Sequence, residues 1–127
     1  MKPQSFLALA IVIGITSTAQ AATPCEILIA GNSLYEANKF DQAVTAYSAV
    51  EKIDKIGKEN CTESIYSSLG ATFTAMARAA ESDPTKALGL MRKANFYHRV
   101  SMHALWCSRL NNCKFSEEFW ADNRFFQ

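Results

Sequence analysis

The side chains best suited to chemistry in this sequence are four cysteines and two histidines. They are Cys25, Cys61, Cys107, Cys113, His98 and His103. The two histidines stand five positions apart, which places them on different faces of a helix, whereas two imidazoles that share a metal ion commonly stand four apart. We therefore predict no metal site. Cys107 follows His103 by four positions, and this pair alone could form an activated thiol nucleophile.

Two adjacent carboxylates, Glu117 and Glu118, could suggest an acid and base pair. Neighbouring residues on a helix point about 100° apart, so the two side chains do not converge on one bond. They are better explained as negative charges in the first turn of a short helix, where they are favourable. Because no other set of side chains makes a persuasive site, we predict that the protein is not an enzyme and needs no cofactor.

The N-terminus has the pattern of a secretory signal peptide. Lys2 is followed by an apolar stretch over residues 6–15 and then by small residues that end in Ala19-Gln20-Ala21. The apolar stretch is too short to cross a bilayer core of about 30 Å, so we predict cleavage after Ala21 rather than a membrane anchor. The signal peptide is thus residues 1–21, and the mature protein is expected in the periplasm or outside the cell, with no stable membrane insertion.

The exported part, residues 22–127, is predicted to be one disulfide-bonded domain. Lipid attachment at Cys25 is an alternative, which is disfavoured by Pro24 directly before the cysteine. An even number of cysteines in an exported chain is most simply two disulfides, and four cysteines allow three connectivities. Without Lys2, 12 of the 13 basic residues remain, equal to the 12 acidic residues. This balance and the scattered lysines predict no nucleic-acid partner.

Hydrophobic periodicity predicts an all-α fold. Pro84 is the only proline between residues 25 and 126, and no segment alternates β-branched and polar residues as a strand would. Apolar residues recur at steps of three or four in four segments, so four main helices are predicted, together with a short C-terminal helix. The predicted helices are 26–38, 40–57, 63–80, 84–110 and one within 115–126.

Four residues predict where these helices begin and end. Thr62 is a candidate N-cap for the third helix, and Gly57 suits the end of the second. Asp83 followed by Pro84 predicts the start of the fourth helix, since a carboxylate caps free amides and proline fits the first turn. The predicted inward face of that helix is Ala87, Leu90, Met91, Ala94, Tyr97, Met102, Leu105 and Trp106.

One segment resembles the tetratricopeptide repeat (TPR). The matching positions are Gly31, Leu34, Phe40, Ala43, Tyr47 and Val50. The family pattern usually has an aromatic residue at Leu34, a small turn residue at Asn38 and a proline at Lys55, and this sequence departs from it at all three. A degenerate second unit is carried by Leu69, Gly70, Phe73, Ala87, Met91 and Ala94, so the resemblance covers residues 26–94.

The TPR resemblance implies antiparallel helical hairpins that bind another protein and have no chemistry of their own. A hairpin returns the chain to the end where it began, so the resemblance also implies a disulfide between Cys25 and Cys61. Cys107 and Cys113 are then expected to pair with each other. The residues that carry the resemblance are expected to be structural.

The leading functional hypothesis is an exported protein-binding module, most specifically an immunity protein or inhibitor of a toxin or hydrolase that acts on the cell envelope. Such inhibitors project a loop or acidic prong into a cleft, and the candidate prongs are Glu81-Ser82-Asp83 and residues 55–59. The alternative is an envelope assembly adaptor that docks through its aromatic tail, with Phe119, Trp120, Phe125 and Phe126 as the contact residues. An enzyme that uses Cys107 with His103 is the third hypothesis.

Overall fold

The computed structural model describes residues 22–52 and 61–110 of the chain, and it describes residues 107–110 by their backbone alone. Four α-helices and one 3-10 helix account for most of these residues. Helix α1 spans Pro24–Glu36, α2 spans Phe40–Tyr47, the 3-10 helix spans Ser48–Lys52, α3 spans Thr62–Ala79 and α4 spans Pro84–Leu110. None of the described residues lies in a strand. The predicted all-α class is confirmed for them, and the predicted helix within 115–126 lies outside them.

Helix α1 begins two residues earlier than predicted because Thr23 forms a capping box. The backbone N–H of Glu26 donates to Thr23 Oγ1 at 3.2 Å, and the backbone N–H of Thr23 donates to Glu26 Oε1 at 2.9 Å. Pro24 occupies the first helical position, where no hydrogen-bond donor is needed. The three residues together fix the start of the helix.

The ends of α2 and the start of α3 differ from the prediction. The α-helix of α2 stops at Tyr47 and tightens into the 3-10 helix, while Gly57 lies outside the described residues. Cys61, not Thr62, is the N-cap of α3. Thr62 is the first helical residue and is 1% exposed, so the prediction that it caps the helix is wrong.

Helix α4 begins as predicted. The backbone N–H of Lys86 donates to Asp83 Oδ1 at 3.2 Å, and the N–H of Ala87 donates to the Asp83 carbonyl at 2.9 Å. Pro84 is the first residue of the helix, which continues to Leu110. A carboxylate cap followed by proline therefore predicted this helix start correctly.

The core lies between α3 and its neighbours. Helices α3 and α4 form the largest contact, α2 packs against both α1 and α3, and α1 also contacts α3. The Ser101 hydroxyl of α4 donates to the backbone carbonyl of Glu63 at the start of α3, at 3.2 Å. The buried cluster consists of Ile27, Ala43, Tyr47, Val50, Ile65, Tyr66, Leu69, Phe73, Ala94, Phe96 and Val100.

The inward face of α4 is only partly the predicted one. Met91, Met102 and Trp106 were predicted to be inside, but they are 45%, 55% and 55% exposed. Of the predicted residues Ala94 is fully buried, and the other buried positions are Phe96, Val100, Ser101 and Ala104. Small residues at three of these positions let α4 approach α3 closely, and this close approach, rather than side-chain size, decides which face is buried.

Cys25 and Cys61 form a disulfide, with their Cα atoms 5.0 Å apart. The bond joins the first turn of α1 to the residue that begins α3. The pairing implied by the TPR resemblance is confirmed for these two cysteines. The side chain of Cys107 and the whole of Cys113 lie outside the described residues, so their pairing stays a prediction.

Gly31 lies where α1 meets the ring of Tyr47 on α2. A Cβ atom at position 31 would overlap that ring. Displacing the ring is costly, since Tyr47 is 1% exposed and its hydroxyl donates to Asn32 Oδ1 at 2.6 Å. Glycine is therefore required here by the close approach of the two helices. Gly70 of α3 meets His98 of α4 in a similar way.

Replacing each of the three described helical glycines by alanine should give three different results. Gly31→Ala is expected to lower the free energy of unfolding by about 1–3 kcal/mol, because the buried Tyr47 ring must shift. Gly89→Ala is expected to raise it by about 0.5–1 kcal/mol, since no atom lies within 4 Å of the added Cβ. Gly70→Ala should fall between them, because the exposed His98 side chain can rotate away. Urea unfolding measures all three, and equal stability of the Gly31 and Gly89 variants would contradict the expectation.

Candidate protein-binding groove at the helix turns

The turn between α1 and α2 forms one wall of the candidate site. Asn38 has a φ of 62°, a left-handed conformation that asparagine tolerates better than most residues. The backbone N–H of Lys39 donates to the Leu34 carbonyl at 2.9 Å, which closes the end of α1. Phe40 then begins α2 and packs edge-on against Tyr35, with ring centroids 5.3 Å apart. The turn is thus held by both backbone and aromatic contacts.

The turn between α3 and α4 forms the opposite wall. The backbone N–H of Asp83 donates to the Ala80 carbonyl at 2.8 Å, and that of Glu81 donates to the Arg78 carbonyl at 3.3 Å. Asp83 at the same time caps α4 through its side chain. The two short turns therefore have defined backbone conformations, which fix the positions of the residues on both sides of the groove.

An open groove of about 420 Å³ lies between the two turns. Apolar side chains from three helices line it, and Met76 and Leu90 among them also pack on the core. Polar and charged side chains surround this apolar part. The lining residues are Asn38, Phe40, Asp41, Met76, Ala79, Ala80, Ser82, Asp83, Lys86 and Leu90.

The groove is lined by two carboxylates and one ammonium group, and the exposed neighbours of its lining residues include charges of both signs. Asp41 and Asp83 lie in or just before the first turns of α2 and α4, where a carboxylate is stabilised by the helix dipole. Lys86 is the one basic residue among the lining side chains, and Glu81 lies exposed on the adjacent turn. Neither cysteine nor histidine lines the groove. The groove therefore combines apolar surface with two carboxylates, a hydroxyl and an ammonium group.

The structure brings part of the predicted acidic prong to this groove. Ser82 and Asp83 line it, whereas Glu81 is exposed beside it. Residues 55–59 and the tail residues Phe119, Trp120, Phe125 and Phe126 lie outside the described residues. Sequence reasoning missed Phe40, Met76 and Leu90 as groove residues, because their periodicity indicated only burial. One feature of the sequence could have pointed to the groove: a short polar turn joins the helices of each pair, α1 with α2 and α3 with α4.

Of the residues considered for chemistry, the structure describes the side chains of Cys25, Cys61, His98 and His103, and the two cysteines among them are joined in the disulfide. His98 is exposed over Gly70, and His103 is half-buried on another face of α4. Within residues 22–52 and 61–106, no group of three His, Cys, Asp or Glu side chains is placed to hold a metal ion. The enzyme hypothesis depended on the side chain of Cys107, which is outside the described part of the chain.

An aromatic cluster connects the 3-10 helix to α3 and α4. The Tyr97 hydroxyl donates to Glu51 Oε2 at 2.7 Å, and the Tyr97 ring stacks on Phe73 and Tyr66, with centroids 5.7 and 6.2 Å apart. Burial raises the pKa of Tyr97 well above its usual range, and the hydrogen bond and negative charge of Glu51 raise it further. Burial also raises the pKa of Tyr66. Both phenols therefore remain neutral at physiological pH, and the cluster has a structural role.

No protein-family model, curated protein or solved structure matches this chain. Among the described helices, none is both long and apolar enough to cross a membrane. The function is accordingly inferred from the groove and from the chemistry of its own residues.

Proposed function

We propose that this protein is an exported, non-catalytic protein-binding module whose groove between the helix turns holds a segment of a partner protein. The observation that carries the proposal is the mixed groove between the two turns, in which the side chains of Phe40, Met76 and Leu90 lie beside the carboxylates of Asp41 and Asp83. Apolar contact supplies affinity, while the carboxylates select a partner that carries Lys or Arg. The expected occupant is therefore a segment of a protein that combines apolar and basic side chains.

The proposed architecture is a pair of TPR-like antiparallel hairpins, α1 with α2 and α3 with α4. Two repeated features support it. A glycine of the first helix meets a ring of the second in each pair, Gly31 with Tyr47 and Gly70 with His98. The disulfide between Cys25 and Cys61 places the starts of α1 and α3 together, as two successive hairpins require. In this arrangement both short turns lie at the opposite end, where the groove is.

Export to the periplasm or the cell exterior is proposed from two features. Residues 1–21 have the pattern of a cleavable signal peptide. The Cys25–Cys61 disulfide supports the same conclusion, since disulfides persist in oxidising compartments and are rare in the cytosol. A second disulfide between Cys107 and Cys113 is part of this proposal.

The most specific form of the proposal is an immunity protein or inhibitor of an envelope-acting toxin or hydrolase. Glu81 projects from the turn next to the groove and is exposed. A carboxylate in that position can enter the basic rim of an enzyme's cleft while the groove holds an adjacent segment. The alternative is an assembly adaptor that docks through its aromatic tail, whose residues lie outside the described part of the chain. The capture experiment described next distinguishes the adaptor from the inhibitor.

The test compares proteins captured from an envelope extract by the mature, oxidised protein and by two alanine-to-arginine variants. Ala79→Arg puts a bulky cation into the groove, because Ala79 lines it at the end of α3. Ala71→Arg is the matched control, since Ala71 is exposed on the same helix and does not line the groove. A true groove partner is expected to be retained by the wild type and by Ala71→Arg and lost with Ala79→Arg.

The captured partner also decides between the specific functions. If the protein is an inhibitor, we expect the captured partner to be a hydrolase. Its activity should fall in proportion to the amount of this protein added, and the inhibition should be complete at equal molar amounts. An assembly component without such activity would favour the adaptor. Retention of the same partner by Ala79→Arg would contradict binding in the groove. The absence of any stoichiometric partner would contradict the binding function altogether.

A further inference from the structure

The predicted cleavage site of the signal peptide lies directly against the first helix. The bond between Ala21 and Ala22 is the one expected to be cut, and α1 begins at Pro24. The N-cap Thr23 is therefore the single residue between Ala22 and the helix. Because consecutive Cα atoms are about 3.8 Å apart, the first helical residue lies within about 8 Å of Ala22.

Several contacts hold the chain just after this bond in one conformation. Ala22 is half-buried and packs against the core cluster, and Pro24 is buried. The backbone N–H of Thr23 donates to Glu26 Oε1 at 2.9 Å, and its carbonyl accepts from the Ile27 N–H at 3.0 Å. Both backbone polar groups of Thr23 are thus used within the folded domain.

The disulfide fixes the same helical turn covalently. Cys25 is the second residue of α1, and its bond to Cys61 ties this turn to the start of α3. Unwinding of the turn is therefore resisted by burial, by hydrogen bonds and by a covalent link to another helix.

A peptidase needs the same residues in a different state. Proteolysis takes place in exposed and flexible chain, and a folded segment is cut only through its open form. A signal peptidase holds residues on both sides of the bond that it cuts, so Ala22 and Thr23 must first leave their contacts. In the folded domain this opening costs the capping box and the packing of Ala22.

From this arrangement we infer that cleavage after Ala21 precedes the folding of α1 and the closing of the Cys25–Cys61 bond, so that the chain crosses the membrane unfolded. Hydrolysis adds one water molecule to the amide and leaves a carboxylate on Ala21 and an ammonium group on Ala22. The two thiols then lose two electrons and two protons to a disulfide oxidant, which becomes two thiols. The inference rests on the proposed export and is independent of the groove.

The signal sequence agrees with the transport of an unfolded chain. The bacterial export signal that serves folded proteins carries a pair of arginines. Residues 1–21 contain no arginine.

The experiment compares two substrates of purified signal peptidase in detergent micelles. One is the full precursor, residues 1–127, folded and oxidised. The other is a synthetic peptide of residues 1–30, which has the same bond but is too short to form a stable α1 on its own. The precursor is expected to be cut at least about tenfold more slowly than the peptide. Mass spectrometry follows the product that begins at Ala22.

Two variants of the folded precursor locate the cause of the slow cleavage. Gly-Ser-Gly-Ser inserted between Ala22 and Thr23 separates the bond from α1 and leaves the helix intact, so this variant should be cut about as fast as the peptide. Thr23→Ala with Glu26→Ala removes the capping box and should raise the rate by about fivefold. Circular dichroism and a thiol count show that each variant is folded and oxidised.

Thr45→Ala is the matched control for the capping variant. It also removes one exposed hydrogen bond of a threonine hydroxyl, to the Asp41 carbonyl at 3.2 Å, but in α2. The rate of cleavage should therefore stay as in the unchanged precursor.

Cleavage of the folded precursor at the rate of the peptide would overturn the inference, and so would a linker variant cut no faster than the precursor. A peptide that is not cut after Ala21 would overturn the signal-peptide prediction, and the inference with it. The two failures are distinguishable because only the second leaves the peptide intact.

Discussion

Phe96→Ala is expected to lower the free energy of unfolding by about 3–5 kcal/mol. Phe96 is completely buried, belongs to the core cluster and packs edge-on against Tyr97 at a centroid distance of 4.9 Å. Its loss leaves a cavity that the surrounding helices can fill only in part, and a domain of this size has a total stability of only about 5–15 kcal/mol. Urea unfolding followed by helical circular dichroism measures the change.

Met91→Ala is the matched control for the Phe96 variant on the same helix. Met91 is 45% exposed, so its truncation should change the free energy of unfolding by no more than about 0.5 kcal/mol. Phe96→Leu serves as a milder variant, expected to fold with a smaller loss than Phe96→Ala. If the Met91 variant proved less stable than the Phe96 variant, the assignment of the inward face of α4 would be wrong.

Replacement of Cys25 and Cys61 by serine is expected to cost about 3–4 kcal/mol of unfolding free energy, the second large effect. The bond closes a loop with a sequence separation of 36 residues, and cross-linking a loop of this length removes much of the chain entropy of the unfolded state. The bond also holds the first turn of α1 against the start of α3, so its loss should loosen α1 first. Urea unfolding gives the free energy, and hydrogen exchange of the α1 amides locates the loosening.

The other two cysteines give the comparison for this disulfide experiment. If Cys107 and Cys113 are paired as predicted, their much shorter loop should contribute about 2 kcal/mol in the same model, and the denatured wild-type protein should have no free thiol. Loss of Cys107 and Cys113 is expected to leave the exchange of α1 amides unchanged. A Cys25 and Cys61 variant as stable as the wild type would contradict the proposed contribution of that bond.

Local sequence signals predicted those features of the fold that depend on neighbouring residues. Asp83 and Pro84 specify a helix start by hydrogen bonding and by a fixed backbone angle, and α4 begins there. Thr23 and Glu26 carried an equally local signal, the capping box, which the prediction passed over when it began the helix at Glu26. Local chemistry of this kind needs no knowledge of the rest of the chain.

The buried face of α4 was not predictable in the same way. Apolar residues occur nearly all round this helix, so more than one stripe has helical spacing, and periodicity does not rank them. Met91, Met102 and Trp106 were included in the predicted stripe because of their spacing. Packing against α3 buries Phe96, Val100 and Ala104 together with the predicted Ala94, since a core favours complementary shape over the volume of any single side chain.

The sequence by itself determined that the described chain is helical and where α4 begins, because both follow from backbone chemistry or from the spacing of a few residues. The TPR resemblance added the pairing of Cys25 with Cys61. Only the tertiary structure decided that Phe40, Met76 and Leu90 meet in one groove and that the large apolar side chains on the outward face of α4 are exposed to solvent. Both depend on how separate helices pack, and packing depends on residues far apart in the sequence.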